Sequence, residues 1–406
     1  MNVDYDIIML ALPRWDGQYS STSFSLAKAL SRHTRVFYVD NPFTVKDYIS
    51  NRNTQQIKRR KKALMGGKDI FTQIDANYPN LTGVTPAMTL PINWIPSGFV
   101  YNVFSRLNNA IVHRALKQTV KTYGIKKFIF INSFNPLFGR YGIRSLKPFL
   151  NIYQSVDDIS QAPYMQKHGT TLEEKAIRDA DFTIVTSSEL KRLKSAFSPQ
   201  VYLLPNAAHV ALFQQAVKEV LTKPAELQSI AAGTKIICYT GNICHRLDYD
   251  LLIKISLKHS DKILLMIGPF ANNNYKIAGL DKMPNVIFTG RKDISELPAY
   301  LKYSDCCIIP FLCNQLTRSI YPLKINEYLS AGKPVVTTNF SEDIFNFKGI
   351  AFVANNREEF LTQIDIAVES DTPEKQKERI NFSASNNWDA RAEQFIEMVN
   401  SFQKSK

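Results

Sequence analysis

Short runs of apolar, often β-branched residues recur along this chain, and each is followed by a longer stretch with helical spacing. In the first half the runs fall at 5–11, 35–39, 127–132, 150–156, 182–186 and 201–205. In the second half they fall at 235–241, 262–268, 285–290, 305–310, 334–338 and 349–354. Near-continuous apolar runs of this length predict strands buried on both faces. The stretches between them, notably 20–32, 100–123, 170–179 and 187–196, predict the crossover helices. The expected fold class is therefore α/β, with two Rossmann-like, doubly wound parallel sheets in tandem.

The strand pattern pauses at 205–223, which divides the chain into a first domain over 1–206 and a second over 207–385. A closing helix, 388–402, lies in the remaining segment 386–406 and is expected to pack back toward the first domain. With 406 residues, 45% of them hydrophobic, the chain is long enough for two cores. Its 25 Phe and 18 Tyr exclude a disordered protein. In open parallel sheets ligands bind beyond the carboxyl ends of the strands, so the site is expected at the strand-to-helix turns and in the cleft between the domains.

Charge changes the picture of the first half only. Residues 1–206 carry 27 Lys+Arg against 14 Asp+Glu, whereas residues 207–406 carry 23 against 22. The densest run is Lys58, Arg59, Arg60, Lys61 and Lys62. It precedes a charge-free stretch, 76–105, with Trp94 and Phe99 in its apolar part. Basic residues beside aromatics suggest an anionic membrane surface as partner, although a solvated face would use the same residues. No zinc-finger, helix-turn-helix or RNP-type pattern accompanies the charge, so no nucleic acid is expected. Pro79, Pro86, Pro91 and Pro96 break the charge-free stretch as a membrane span. The acidic start MNVDYD argues against a cleavable leader. Cys238, Cys244, Cys306, Cys307 and Cys313 form no CxxC and read as reduced core thiols of a cytoplasmic protein.

The segment richest in chemistry runs from Thr317 to Val336, between two strand runs. Pro322 suits a first helical position, and Gly332 followed by Pro334 suits a stop. Free amides over 322–325 would face an anion, and Lys324 adds a charge there. Glu327, one turn on and on the side of Leu323, could accept both hydroxyls of a ribose. In the first half, Arg14, Asp16 and Gly17 follow the first strand and face an acceptor or donor phosphate, or else cap a helix. Asp157 and Asp158 end another strand at the same edge. Asp248-Tyr249-Asp250 looks like a metal-binding DxD, but Asp248 opens a helix and reads better as its N-cap. The six histidines make no HExxH, and no metal is expected.

The pattern PLKxxEYLxxGxPVV at 322–336 resembles the donor-site helix of GT-B glycosyltransferases, in particular the family-four group (glycosyl transferases group 1) of retaining enzymes. Val156-Asp157-Asp158, Ala180-Asp181 with Ser187, Leu204-Pro205-Asn206 with Phe213, and a strand ending at Gly241 follow in the family's order. The resemblance implies a GT-B fold and a hexosyltransferase type of activity, from a nucleoside-diphosphate sugar to a glycan or lipid-linked acceptor. It implies no cofactor, and a role in cell-surface polysaccharide synthesis. Donor residues would be Gly241, Asn242, Arg246, Gly268, Ser319, Pro322, Leu323, Lys324 and Glu327. Arg246 and Lys324 would act on the departing diphosphate, and Asp157 and Asp158 would orient an acceptor hydroxyl. Two positions depart from the family: Ser319 stands where a first glutamate is common, and Asn242 where an arginine is. A nucleotide-sugar epimerase or a non-catalytic membrane-surface scaffold on the same fold are the rival readings.

Overall fold

A computed structural model describes residues 3–17, 21–161 and 163–405. The chain divides into two compact units, Met1–Pro205 with Arg391–Lys406, and Asn206–Ala390. The first is built on strands β1 (Asp6–Ala11), β2 (Val36–Val39), β3 (Phe71–Gln73), β4 (Leu81–Val84), β5 (Phe128–Ser133), β6 (Leu150–Ser155), β7 (Phe182–Val185) and β8 (Val201–Leu203). Their order in the sheet is β3-β4-β2-β1-β5-β6-β7-β8. All described pairs are parallel except β3 with β4. Every residue of β1 is buried, as its unbroken apolar run requires. The helix Phe99–Thr122 covers one face, placing Val112, Ala115 and Leu116 in a core with Ile8, Phe37 and Phe130. From the last helix, Trp388–Ser405, Phe402 packs on Phe182 and the Arg391 guanidinium donates to the Pro205 carbonyl at 2.9 Å.

The second unit holds β9 (Ile236–Thr240), β10 (Ile263–Ile267), β11 (Val286–Gly290), β12 (Cys306–Ile309), β13 (Val335–Thr338) and β14 (Phe352–Ala354), in the order β11-β10-β9-β12-β13-β14. Its pairs are parallel throughout, around a core from Tyr239, Met266, Ile308, Tyr328 and Phe360. Four cysteines are buried here, but Cys313, expected in the core, is exposed because it lies beyond the end of β12. Among the described residues no helix is long and apolar enough to cross a membrane.

The apolar pattern did not signal two helices, Val45–Asn51 and Gln55–Gly66, the second of which contains the basic run. Here one expectation is corrected. Arg60 is not a surface cation: it is 3% exposed and its guanidinium donates to Asp16 at 2.5 and 2.9 Å and to Asp40 at 3.0 Å. It also lies over the rings of Trp15 and Phe43. This cluster ties the loop after β1 to β2 and to the helix. Burial pushes the Asp40 carboxyl up to about 6, against the pull of Arg60 and the Trp15 amide. A carboxyl raised in the folded chain holds its proton more tightly there than when unfolded. From Asp40 alone, stability is therefore greatest below pH 4 and declines as pH rises through about 6. Replacing Arg60 by Met leaves two carboxylates without their cation and should cost about 3–5 kcal/mol of unfolding free energy at pH 8. The deficit should shrink at pH 4, where Asp40 is protonated; an equal deficit at both pH values in urea titrations would refute this assignment.

Candidate functional site

In the second sheet β9 is flanked by β10 on one side and β12 on the other. The crossovers from the centre thus leave in opposite directions, and the carboxyl ends of β9 and β12 border the crevice that results. Gly241, φ 137°, follows β9 and its amide donates to the Ile267 carbonyl at 2.7 Å. Gly268, φ 150°, follows β10 and donates to Gly290 at 3.0 Å. A Cβ on Gly268 would lie 1.9 Å from the Gly241 carbonyl oxygen, and one on Gly241 would lie 2.5 Å from Lys324 Nζ. Two residues without side chains thus let the strand ends touch and leave room for Lys324 above them.

Lys324 comes from the helix Leu323–Ser330, whose position is fixed from within. The Tyr328 hydroxyl, fully buried, accepts from the Thr240 amide at 2.8 Å and from the Thr240 hydroxyl at 3.1 Å. Its start is tighter than expected. The Leu323 and Ile325 amides donate to the Tyr321 and Pro322 carbonyls at 2.8 and 3.0 Å, so these two are not free to meet an anion.

Burial lowers the Lys324 ammonium; the Glu327 carboxylate opposes that shift and Arg246 adds to it. Burial likewise raises the Glu327 carboxyl, and Lys324 opposes it. The Glu327 carboxylate forms no hydrogen bond to any described residue, so its acceptor capacity remains open toward a ligand. Arg246, whose own carbonyl accepts from Leu312 at 2.9 Å, completes a cationic edge with Lys324. Asn242 Oδ1 is buried without a hydrogen-bond partner, and the Asn242 carbonyl accepts from Tyr239 at 3.1 Å. Ser319 is buried and its hydroxyl donates to the Leu316 carbonyl at 2.9 Å. Asp248 caps the helix Tyr249–Lys258, accepting from the Leu251 amide at 3.0 Å, and it pairs with both arms of Arg357 at 2.8 and 2.9 Å. No three His, Cys, Asp or Glu among the described residues group so as to hold a metal.

In the first unit the sequence-selected side chains turn inward. Arg14 donates to the Asn41 and Pro42 carbonyls, lies 3.4 Å over the Phe43 ring and pairs with Asp47 at 3.8 Å. Asp16 holds Arg60, and the Gly17 amide closes a turn onto Arg14 at 3.0 Å. Gln18, Tyr19 and Ser20, also in that loop, lie outside the described residues. Asp158 is buried and accepts from the amide and hydroxyl of Ser160 at 3.1 and 2.8 Å, which is the capping role; Asp157 is exposed.

The first unit also holds a cavity of about 440 Å³, and none of these sequence-selected residues lines it. Asn41, Thr89, Leu137 and Tyr164 line it from the loops that follow β2, β4, β5 and β6. Asn108 holds its wall by exchanging two 2.9 Å hydrogen bonds with the backbone of Leu90. The charge-free stretch 76–105 was the signal available for it, since Thr89, Leu90, Pro91, Ile92 and Trp94 of that stretch line the cavity.

Residues 234–370 match the family described as glycosyl transferases group 1. That stretch includes β9 through β14, with Gly241, Lys324 and Glu327. The second unit is thus similar in sequence to the group 1 glycosyltransferases over that stretch. The chain is 28% identical over 214 residues to TuaH of Bacillus subtilis, a protein named for a glycosyltransferase role in teichuronic acid biosynthesis. That match takes in 48% of this chain and 52% of the relative, so the chain spans about half the length of the curated relative it matches. Among solved structures, the whole chain resembles sucrose-phosphate synthase of Thermosynechococcus elongatus, with TM-score 0.68 and 15% identity over 99% of this chain and 100% of that one. The trehalose 6-phosphate synthase of Burkholderia multivorans gives 0.70 and 11% over 99% of each chain. HepE of Anabaena, solved with UDP and glucose, gives 0.63 and 12% over 97% and 99%. At these identities the likeness establishes the GT-B fold.

Two substitutions test how this site is held. Tyr328→Phe strands the buried Thr240 amide and should cost about 1–3 kcal/mol. Gly268→Ala should cost about 3 kcal/mol or more through overlap with Gly241 and backbone strain. Gly279→Ala, with φ 77° and open space around it, should cost only about 1 kcal/mol. Equal losses for the two glycine variants in denaturant titrations would contradict the close contact.

Proposed function

We propose that the protein transfers a sugar from a nucleoside-diphosphate donor to a glycan or lipid-linked acceptor, in the synthesis of a cell-surface polysaccharide. The observation that carries this reading is Lys324 seated over Gly241, one turn from Glu327, at the switch point of the second sheet. A pair of desolvated charges with open hydrogen-bonding capacity suits a ligand that is anionic at one end and polyhydroxylated at the other. In this reading Glu327 accepts the ribose hydroxyls, while Lys324 and Arg246 hold the diphosphate.

The same groups stabilise the charge that grows on the diphosphate as the glycosidic bond breaks. They act where a metal-dependent enzyme would place a cation, so this chemistry needs no resident metal or cofactor; retention of the anomeric configuration is what the resemblance to the family-four enzymes implies. Asp248 is already engaged by Arg357 and by its own helix, which supports leaving it out of the chemistry. Asn242 and Ser319 shape the pocket for the sugar. The acceptor lies in the cavity of the first unit. HepE was solved with UDP and glucose and TuaH is named for teichuronic acid biosynthesis, which supports a nucleotide-sugar donor and a polysaccharide product. The reaction is assigned to the cytoplasm.

The test is a thermal-shift screen against UDP, GDP, ADP and dTDP, with Arg246→Ala, Lys324→Ala and Glu327→Ala alongside. A ligand at 100 times its Kd should stabilise the wild type by about 2.7 kcal/mol. One diphosphate should do so selectively, with the shift lost in all three variants. No shift with any of the four, or a shift kept in the variants, would overturn the donor site. Conversion of the sugar nucleotide without an acceptor would instead support an epimerase.

A further inference from the structure

Bordering the cavity, the first unit presents an apolar ridge to solvent. Trp94 is 74% exposed and Phe99 83%, and Val100, Val103 and Leu107 are exposed beside them. Residues 99, 103 and 107 are spaced four apart on the helix Phe99–Thr122, so they form one stripe. The buried residues Tyr101, Ser105, Asn108 and Val112 lie on the other face of the same helix and account for its packing. The fold therefore has no use for the outer stripe, and water disfavours it.

The ridge is also held rigidly. Lys167 donates to the Trp94 carbonyl, and Asn93 donates to the Tyr164 carbonyl at 2.8 Å. The His168 ring contacts the Ile95 carbonyl at 3.0 Å and the Ser97 hydroxyl at 3.3 Å, and stacks on Tyr101 with centroids 3.8 Å apart. Four side-chain contacts to one loop keep its aromatic residues outward and prevent their collapse onto the protein.

The charge carried by the segment that forms it has one sign. From Ala76 to Val156 the sequence contains no Asp or Glu and nine Lys or Arg. Of these, Arg106, Arg114, Lys117 and Lys121 are exposed on the ridge helix itself, and Lys167 is exposed beside the loop. An apolar ridge of Trp, Phe, Val and Leu on a helix whose charged residues are all basic is complementary to one kind of surface: acyl chains under phosphodiester headgroups. A single-stranded nucleic acid would match the charge but gain little from an aliphatic stripe, and a protein partner would need to supply the acidic ring.

We propose that the loop 91–98 and the first turns of the helix Phe99–Thr122 dock the protein on an anionic lipid bilayer. Trp94 and Phe99 enter the headgroup region, and Arg106, Arg114 and Lys167 meet lipid phosphates. The basic run 58–62 is secondary, since Arg60 is buried in its ion pairs and Lys62 pairs with Asp69. Leu90, Pro91, Ile92 and Trp94 wall both the ridge and the 440 Å³ cavity. A molecule anchored in the bilayer would therefore present its head at the cavity mouth. Docking itself does not depend on the sugar chemistry.

The experiment is co-sedimentation of the full chain with phosphatidylcholine vesicles, with and without about one third phosphatidylglycerol. Wild type should bind the anionic vesicles and release at high salt. Trp94→Ser with Phe99→Ser should lower the partition coefficient about tenfold or more. Arg106→Glu with Arg114→Glu should lower it to a similar degree, while Lys58→Glu with Lys61→Glu should change it by less than about threefold. Unaltered thermal stability and nucleotide response would show that each variant is folded. Absence of wild-type binding to anionic vesicles, or full binding by the Trp94/Phe99 variant, would overturn the proposal. So would loss of binding caused by the 58 and 61 changes alone.

Discussion

The contact between Gly241 and Gly268 sets the position of everything else in the second unit's site. Two neighbouring parallel strands end within van der Waals reach of each other only because neither residue after them has a side chain. That closure leaves space directly above Gly241, and Lys324 fills it. Tyr328 then fixes the helix by holding the end of β9 through the Thr240 amide. Lys324 and Glu327 are thereby placed on a surface partly removed from water, where each charge has a larger effect on a bound anion than it would have in solvent. The cost of burying them is reduced by their mutual attraction, which the opposed shifts of the two groups reflect.

In the first unit the equivalent constraint is ionic. Arg60 satisfies Asp16 and Asp40 together, and this fixes the loop after β1 against β2 and the helix Gln55–Gly66. Arg14 extends the arrangement to the carbonyls of Asn41 and Pro42 and to Asp47. The result is a set of strand-end loops that frame a cavity, to whose lining Lys46, Asp47 and Lys167 contribute charge.

Much of the fold was legible because buried parallel strands are nearly continuous apolar runs: twelve runs were read, and each contains a strand whose bounds differ by at most three residues. β3 and β4 escaped notice because Phe71–Gln73 and Leu81–Val84 are short and interrupted by Gly and Thr. The helices Val45–Asn51 and Gln55–Gly66 lacked a strong apolar stripe, although Thr44 with Asp47 forms a capping box that was there to be read. In the candidate site, Lys324 and Glu327 were readable because both lie on one helix between two clear strands. The inward turn of Arg60 was not, since its partners lie 44 and 20 residues away and only the tertiary fold brings them together. The cavity was legible only in its charge-free stretch, since the rest of its lining comes from separate loops, each unremarkable alone.

The most direct measurement of the central claim is amide hydrogen exchange on the intact protein with and without saturating UDP, GDP, ADP or dTDP. The account predicts that at least one of them slows exchange in two peptides together, around 241–247 and 319–328. It also predicts no change across 91–107, where the ridge lies. Slowed exchange confined to other segments, or none with any of the four, would contradict the placement of the donor at Gly241, Lys324 and Glu327.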